Sequence, residues 1–148
     1  FNTSGKGNSW WLYNTLIKNI NEPVIVLTCD NVIDLDFVKL FEEYNSFDKP
    51  ACMIVPVKPI EGLEGDYIFH EKNVITKLDR DEVSDIYCSG IQVLNPCKIN
   101  NITNKVDNFY NVWQQLIKLN QLYSSTIYPN RWFAVDTVEQ LNKLNENY

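Results

Sequence analysis

Two short, unbroken apolar runs constrain this chain more than any other feature: Val24-Ile25-Val26-Leu27-Thr28-Cys29, and Ala51 to Val57. Each is too short for an ordinary helix and shows none of the apolar–polar alternation of a half-exposed strand. Turn formers bound them, with Asn21-Glu22-Pro23 before the first, Asp30-Asn31 after it, and Pro56 and Pro59 closing the second. A run of this kind reads as a central parallel strand covered on both faces. Between the two, Asp34 is placed to cap a helix carrying Leu35, Val38, Phe41 and Tyr44 along one face. Ahead of them, Asn8-Ser9 opens a helix in which Trp10, Trp11, Tyr13, Leu16, Ile17 and Ile20 recur with helical spacing. Strand and helix alternating over short connections predict βαβ units and a parallel sheet.

The middle of the chain changes character. Tyr67-Ile68-Phe69 and Val74-Ile75 flank the polar stretch His70-Glu71-Lys72-Asn73, which reads as a hairpin. Ile86 to Leu94 is a longer strand ended by Asn95-Pro96, and helical patterns follow over Pro96 to Ile102 and Asp107 to Leu119. Leu122 to Tyr128 and Trp132 to Val135 read as strands, and Thr137-Val138-Glu139-Gln140 is a capping box opening a last helix. No internal repeat and no linker interrupts this pattern. The expectation is a single α/β domain over residues 1–148 with a mixed sheet.

Charge and composition remove several function classes. The net charge of −6 argues against a nucleic-acid partner, because phosphate-backbone binding rests on Lys and Arg. No apolar stretch approaches the ~20 residues that cross a bilayer, so no membrane partner is expected. Cys29, Cys52, Cys88 and Cys97 are scattered without a C-x-x-C pair, and three lie in strand-like apolar runs. They read as core thiols of a reduced, cytoplasmic compartment. The chain starts at Phe1, and its first residues read as the interior of a longer protein.

In open α/β sheets, ligands bind beyond the carboxyl ends of the strands. Two lone carboxylates fall there: Asp30, after Val24–Cys29, and Asp136, after Trp132–Val135. Converging, they would suit Mg²⁺, which takes one or two carboxylates and fills its octahedron with waters and substrate phosphates. Spacing alone equally allows each to be a turn or cap residue.

Several segments together resemble the sugar-1-phosphate nucleotidyltransferases. Gly5-Lys6-Gly7-Asn8-Ser9-Trp10-Trp11 is similar to their nucleotide-contacting G-T-A-G-S-L-L segment, and Pro23 to Asn31 to the P-x-L-V-L-x-G-D strand. Val74 to Arg80 resembles V-x-x-F-x-E-K, Cys88 to Pro96 resembles N-A-G-I-Y-V-L-N-P, and Trp132 to Leu141 resembles W-x-x-I-D-T-x-E-D-L. The matches run in family order over nearly the whole chain. The resemblance implies a Rossmann-like three-layer α/β/α fold, incomplete because the family's first strand and G-x-G-T-R-L loop have no counterpart here. It implies Asp30 and Asp136 as Mg²⁺ ligands, with Arg80 beside them in catalysis. It implies Gly5, Lys6, Gly7, Asp79, Arg80, Ser89 and Gly90 as substrate contacts. Cys29 stands where the family has Gly, Lys6-Gly7 where it has Thr-Ala, Asp79-Arg80 where it has Glu-Lys, and Cys88 where it has Asn.

The implied reaction is attack of a sugar-1-phosphate oxygen on the α-phosphorus of a nucleoside triphosphate, expelling pyrophosphate in nucleotide-sugar and polysaccharide biosynthesis. A phosphate nucleophile is ionised at neutral pH, its second pKa being about 6, so no general base is required. The lone His70 reads as a solvated turn residue. Without the glycine-rich loop, these 148 residues alone are expected to be inactive. Two alternatives remain: a non-catalytic regulatory or nucleotide-binding domain, and a D-x-D glycosyltransferase using Asp34-Leu35-Asp36. A phosphocholine acceptor and a homo-oligomer stay open.

Overall fold

The computed structural model describes residues 2–60, 65–135 and 137–146. Among the described residues eight strands and five α-helices follow one another: α1 (Trp10–Asn14), β1 (Val24–Val26), β2 (Asn31–Asp34), α2 (Phe37–Ser46), β3 (Cys52–Val57), β4 (Tyr67–Glu71), β5 (Val74–Asp79), β6 (Tyr87–Leu94), α3 (Pro96–Ile102), α4 (Phe109–Lys118), β7 (Leu122–Ser124), β8 (Arg131–Ala134) and α5 (Val138–Glu146). Six strands form the main sheet in the order β1-β6-β3-β7-β5-β4, and β2 and β8 pair antiparallel as a separate two-stranded sheet. The sheet is mixed, as expected. Its only parallel ladder among the described residues is β3–β7. Both β1 and β3 run antiparallel to β6, so β1, β3 and β7 point the same way and end at one rim.

The centre is the β3–β6 ladder. Every residue of β3 is buried, and its side chains alternate between two clusters. Cys52 and Ile54, with Leu94 of β6, face Leu12, Ile99, Val112, Trp113 and Leu116 of α1, α3 and α4. Met53 and Val55, with Ile91 and Val93 of β6, face Leu35 before α2 and Leu40 and Tyr44 within it. Helices therefore cover both faces in three layers, and each fully buried aliphatic side chain contributes ~1.5–3 kcal/mol.

Polar groups at the helix starts are satisfied locally. Asn95 caps α3 through the Lys98 amide (2.9 Å) with Pro96 in the first turn, and Asn108 caps α4 through the Asn111 amide (2.9 Å). At α5 the capping box is reciprocal: the Gln140 amide donates to Thr137 Oγ1 (3.2 Å) and the Thr137 amide to Gln140 Oε1 (3.0 Å). Inside the core, Gln92 Oε1 accepts from Trp113 Nε1 (3.0 Å) and Cys52 Sγ (3.2 Å).

Several sequence expectations are corrected. β1 is three residues at the edge of the sheet rather than a central parallel strand. Trp11, Ile17, Ile20, Ile25 and Leu27 line a groove of about 400 Å³ beside it. The first helix stops at Asn14 because Thr15 is extended, its hydroxyl accepting from the Ile17 amide, and residues 16–19 form a 3-10 turn. Asp34 does not cap α2. It ends β2, a strand too short for the periodicity to reveal, and Asp36 is the cap (Lys39 amide, 3.0 Å). The hairpin strands run on to Glu71 and from Val74, leaving Lys72-Asn73 as a two-residue turn with φ of 48° and 70°. β7 ends at Ser124, four residues before Tyr128. Of the cysteines only Cys52 is fully buried; Cys88 and Cys97 are half-buried and Cys29 is exposed.

Tyr44, 1% exposed, donates its hydroxyl to the Pro50 carbonyl (2.7 Å), and burial pushes its phenol well above the usual range. The folded state thus holds this proton more tightly than the unfolded chain. Its stabilising share is complete below pH ~10 and is lost as pH rises above that value. Alkaline denaturation followed by tyrosinate absorbance is expected to show late phenols at the buried Tyr13 and Tyr44, one of them absent in Tyr44→Phe. That variant is expected to lose about 1–2 kcal/mol at neutral pH, since the Pro50 carbonyl is left unpaired.

Candidate functional site

The rim where β1, β3 and β7 end carries Asp30, with the Ser89–Gly90 bulge of β6 beside its turn. Asp30 sits in the turn between β1 and β2, half-buried. Among the described residues its carboxylate has no hydrogen-bond or ion-pair partner. Its backbone is fixed: the Val135 amide donates to the Asp30 carbonyl (2.9 Å), continuing the ladder that pairs Asn31 with Ala134 and Asp34 with Arg131. The chain immediately before Asp136 is therefore held against Asp30. Asp136 itself lies outside the described residues.

Ser89 and Gly90 form a bulge in β6. The register with β3 advances two residues on β3, from Ile54 to Pro56, against four on β6, from Gln92 to Cys88. Gly90 takes φ +82°, and a Cβ there would lie 3.3 Å from the Thr28 side chain. Ser89 is 3% exposed, its hydroxyl donating to the Val55 carbonyl (2.6 Å) and accepting from the Ile91 amide (3.0 Å). Asn31 Nδ2 donates to the Ser89 carbonyl (2.9 Å), which ties the bulge to the Asp30 turn. Pro56 occupies the bulge position on β3, beyond the stretch hydrogen-bonded to β7.

Gly5, Lys6 and Gly7 precede α1. Gly5 takes φ +70° in open space, and Lys6 Nζ lies 5.8 Å from the centre of the Trp10 ring. Gly7 is pressed against the loop leading to α4, where a Cβ would fall 1.9 Å from the Asp107 carbonyl oxygen. The Ser9 amide donates to that same oxygen (3.2 Å), Ser9 Oγ donates to the Val106 carbonyl (2.9 Å), and the Phe109 amide donates to Asn8 Oδ1 (2.9 Å). A small residue at this position is a steric requirement of the contact.

Asp79 and Arg80 end β5. The Asp79 carboxylate binds Lys77 Nζ (2.7 Å) and accepts from the Asp81 and Glu82 amides (2.9 and 3.0 Å). The Lys77 hydrogen bond first, and these two amides next, hold it well below the usual carboxylate range. Arg80 Nε donates to Asp66 Oδ1 (3.0 Å). The Cys88 amide donates to the Asp66 carbonyl (2.8 Å), so Arg80 is tethered to the strand that carries the bulge. Desolvation pushes the Cys88 thiol up to about 12, which keeps it protonated. Beside this pair lies a cleft of about 610 Å³ reached also by Asn8, Asn108, Tyr110 and Asn111. Periodicity placed residues 108–111 in a helix but gave them no part in a site, because their place at the cleft comes from α4 beginning beside Arg80.

The structure thus joins Asp30, Gly90, Arg80 and Asn8 along one rim, while Asp79 is absorbed in its own turn. His70 is exposed on the hairpin. Asp36 is committed to capping α2 and to Lys39 (3.0 Å), leaving the D-x-D pattern without its second carboxylate. Among the described residues no three His, Cys, Asp or Glu side chains cluster as a metal site, and no helix is long and apolar enough to cross a membrane.

No protein-family model and no curated protein sequence matches the chain. Solved structures do. A protein assigned as a glucose-1-phosphate thymidylyltransferase of Bacillus anthracis, crystallised with sucrose, superposes with a TM-score of 0.72 at 12% identity, over 97% of this chain and 61% of its own. The inositol-1-phosphate CTP transferase of T. maritima gives 0.69 at 13% identity, over 99% of this chain and 62% of its own. An apo UDP-glucose pyrophosphorylase gives 0.62 at 14% identity, over 86% and 54%. The chain has the fold of the sugar-1-phosphate nucleotidyltransferases and spans 54–62% of the length of these structures.

Two glycines test the site's construction. Gly7→Ala is expected to cost at least ~2–4 kcal/mol or to detach the 5–9 segment from α4, since backbone cannot yield 1.9 Å cheaply. Gly90→Ala is expected to cost about 1–2 kcal/mol from its positive φ alone. Urea midpoints, with amide exchange at Ser9 and Asn31, report both.

Proposed function

We propose that this chain carries the metal-binding and acceptor-binding side of a Mg²⁺-dependent nucleotidyltransferase that joins a nucleoside triphosphate to a sugar-1-phosphate. The observation that carries the reading is the β2–β8 ladder, which sets the Asp30 turn against Val135. The donor chemistry fits the ion: Asp30 offers a hard oxygen with no competing partner among the described residues, and Asp136 would supply the second. Asp30 and Asp136 would hold Mg²⁺ there, and the ion would supply polarisation of the α-phosphate and neutralisation of the two anions.

The remaining work falls to this chain's own groups. Asp30 is held in place through its backbone rather than its side chain, so its carboxylate is available without loss of an existing bond. The Ser89–Gly90 bulge packs on Thr28 and Asn31 and fixes the turn that presents it. Arg80, oriented by Asp66, offers a guanidinium to the acceptor phosphate, a planar fork suited to phosphate oxygens. The attacking phosphate oxygen is already ionised near neutrality. Catalysis then rests on alignment and charge compensation.

The test is pyrophosphate release by the protein as it occurs in the cell, assayed over a panel of nucleoside triphosphates and sugar-1-phosphates with Mg²⁺. Asp30→Asn is expected to lower turnover at least ~100-fold. Its melting temperature is expected to stay unchanged, since the carboxylate holds no hydrogen bond or ion pair among the described residues. No release with any substrate pair, or full activity in Asp30→Asn, overturns the proposal.

A further inference from the structure

The β1–β6 ladder ends at Val26 and Gln92, and the β3–β6 ladder is interrupted between Gln92 and Cys88. Among the described residues, Ser89 and Gly90 therefore have no register partner on either side. Ser89 is nonetheless only 3% exposed, and a carbonyl in that position needs a donor. A side chain supplies it: Asn31 Nδ2 reaches the Ser89 carbonyl at 2.9 Å. Because the partner is a carbonyl, only the NH₂ end of the amide can face it. Asn31 stands in for the strand that β1 ceases to provide.

The same residue closes the turn that presents Asp30. The Asn31 amide donates to the Thr28 carbonyl (3.3 Å), which puts Cys29 and Asp30 at the central positions of a four-residue turn. That bond is long. The turn is held besides by the Val135 amide on the Asp30 carbonyl (2.9 Å) and by Asn31 Nδ2 on the bulge. The two ends of the Asn31–Ser89 bond are unequally anchored, because the Ser89 hydroxyl holds both Val55 and Ile91 within the buried ladder. When the bond is lost, the turn is the side that moves, and Asp30 moves with it.

We propose that Asn31 is a positioning residue: its side-chain amide locks the Asp30 turn to the Ser89–Gly90 bulge and so sets where the Asp30 carboxylate stands. The inference rests on the reading of Asp30 as a metal ligand. It assigns a role to a residue outside the P-x-L-V-L-x-G-D pattern, which ends at Asp30. Coupling through such a bond is reciprocal. A divalent cation on Asp30 therefore steadies the bulge, just as the bulge steadies Asp30.

The test uses the protein as it occurs in the cell, labelled with ¹⁵N, and reads amide signals rather than turnover. Asn31→Leu keeps the side chain's shape and removes the donor, while Asn31→Ala also leaves room for water at the Ser89 carbonyl. Asn31→His returns a donor, since imidazole Nδ1 lies as many bonds from the backbone as Asn Nδ2; it is read at about pH 8, where the ring is neutral. Without metal, exchange at the Asn31 and Val135 amides is expected to quicken about five- to tenfold in the Leu and Ala variants, the usual effect of one lost hydrogen bond. The His variant is expected to stay within about twofold of wild type. Mn²⁺, titrated as a paramagnetic probe, is expected to broaden the signals of residues 29–31, at about five- to tenfold higher concentration in the Leu and Ala variants. Mg²⁺ is expected to slow exchange at the Ile91 amide in wild type and in the His variant, and not in the other two. Should Asn31→Leu fail to fold, Asn31→Ala against Asn31→His decides alone. Mn²⁺ binding and exchange that are indifferent to Asn31, or a loss that Asn31→His does not return, overturn this inference alone. A wild-type protein in which Mn²⁺ broadens none of these signals overturns it together with the metal reading of Asp30. Asn31-dependent Mn²⁺ binding in a protein that never releases pyrophosphate would sink the transferase reading and leave the positioning role standing.

Discussion

The antiparallel ladder between β3 and β6 is the constraint on which the rest depends. Both strands lie between two apolar clusters, so any slip of one residue would exchange Cys52 and Ile54 for Met53 and Val55 across the sheet. Burial on both faces fixes the register, and the register fixes where the extra residues of β6 must be accommodated. They are accommodated at Ser89 and Gly90, beside the Asp30 turn. The irregularity needed at the site is thus anchored by the most regular part of the core. Ser89 supports it from beneath by bridging Val55 and Ile91, and Gly90 removes the side chain that would push Thr28 away.

A second layer of construction joins segments distant in sequence through backbone groups rather than through charges. The Gly7–Ser9 segment is fixed on residues 106–109, Asp66 on Cys88, and Val135 on Asp30. Exposed ion pairs such as Lys77 with Asp79 or Arg80 with Asp66 add little stability, as surface pairs generally do. Their value is directional. Asp66 aims a guanidinium, and Lys77 keeps Asp79 occupied at the end of β5.

Much of this was legible in the residues, and the failures are physical. Long elements with strong periodicity, β6, α3 and α4, fall where the apolar pattern puts them. The ordered set of family-like segments foretold the fold that the structural comparisons show. The apolar run Val24–Cys29 misled because continuity of apolar residues signals burial of side chains but says nothing about which strand edges are paired. β2 was invisible because four residues with a polar residue at each end carry no period, and its partner is ~100 positions away. The cleft beside Arg80 was invisible for a related reason: Asn8 meets the start of α4 by a loop contact, and Asp66 is brought to Cys88 by the sheet's closure. In that closure β4 returns to β6 through Tyr67 and Tyr87, so that β6, β3, β7, β5 and β4 form a ring of pairings.

The β2–β8 arm has a temporal consequence. Its two halves lie about 100 residues apart, so a ribosome must translate the intervening strands and helices before residues 131–134 can meet 31–34. Loops that long close late, after the more local hairpin and helices have condensed. The turn that carries Asp30 is therefore braced after the hairpin β4–β5 has formed. A nascent chain halted near residue 130 already holds both strands of the β3–β6 ladder while lacking the strand that braces the Asp30 turn.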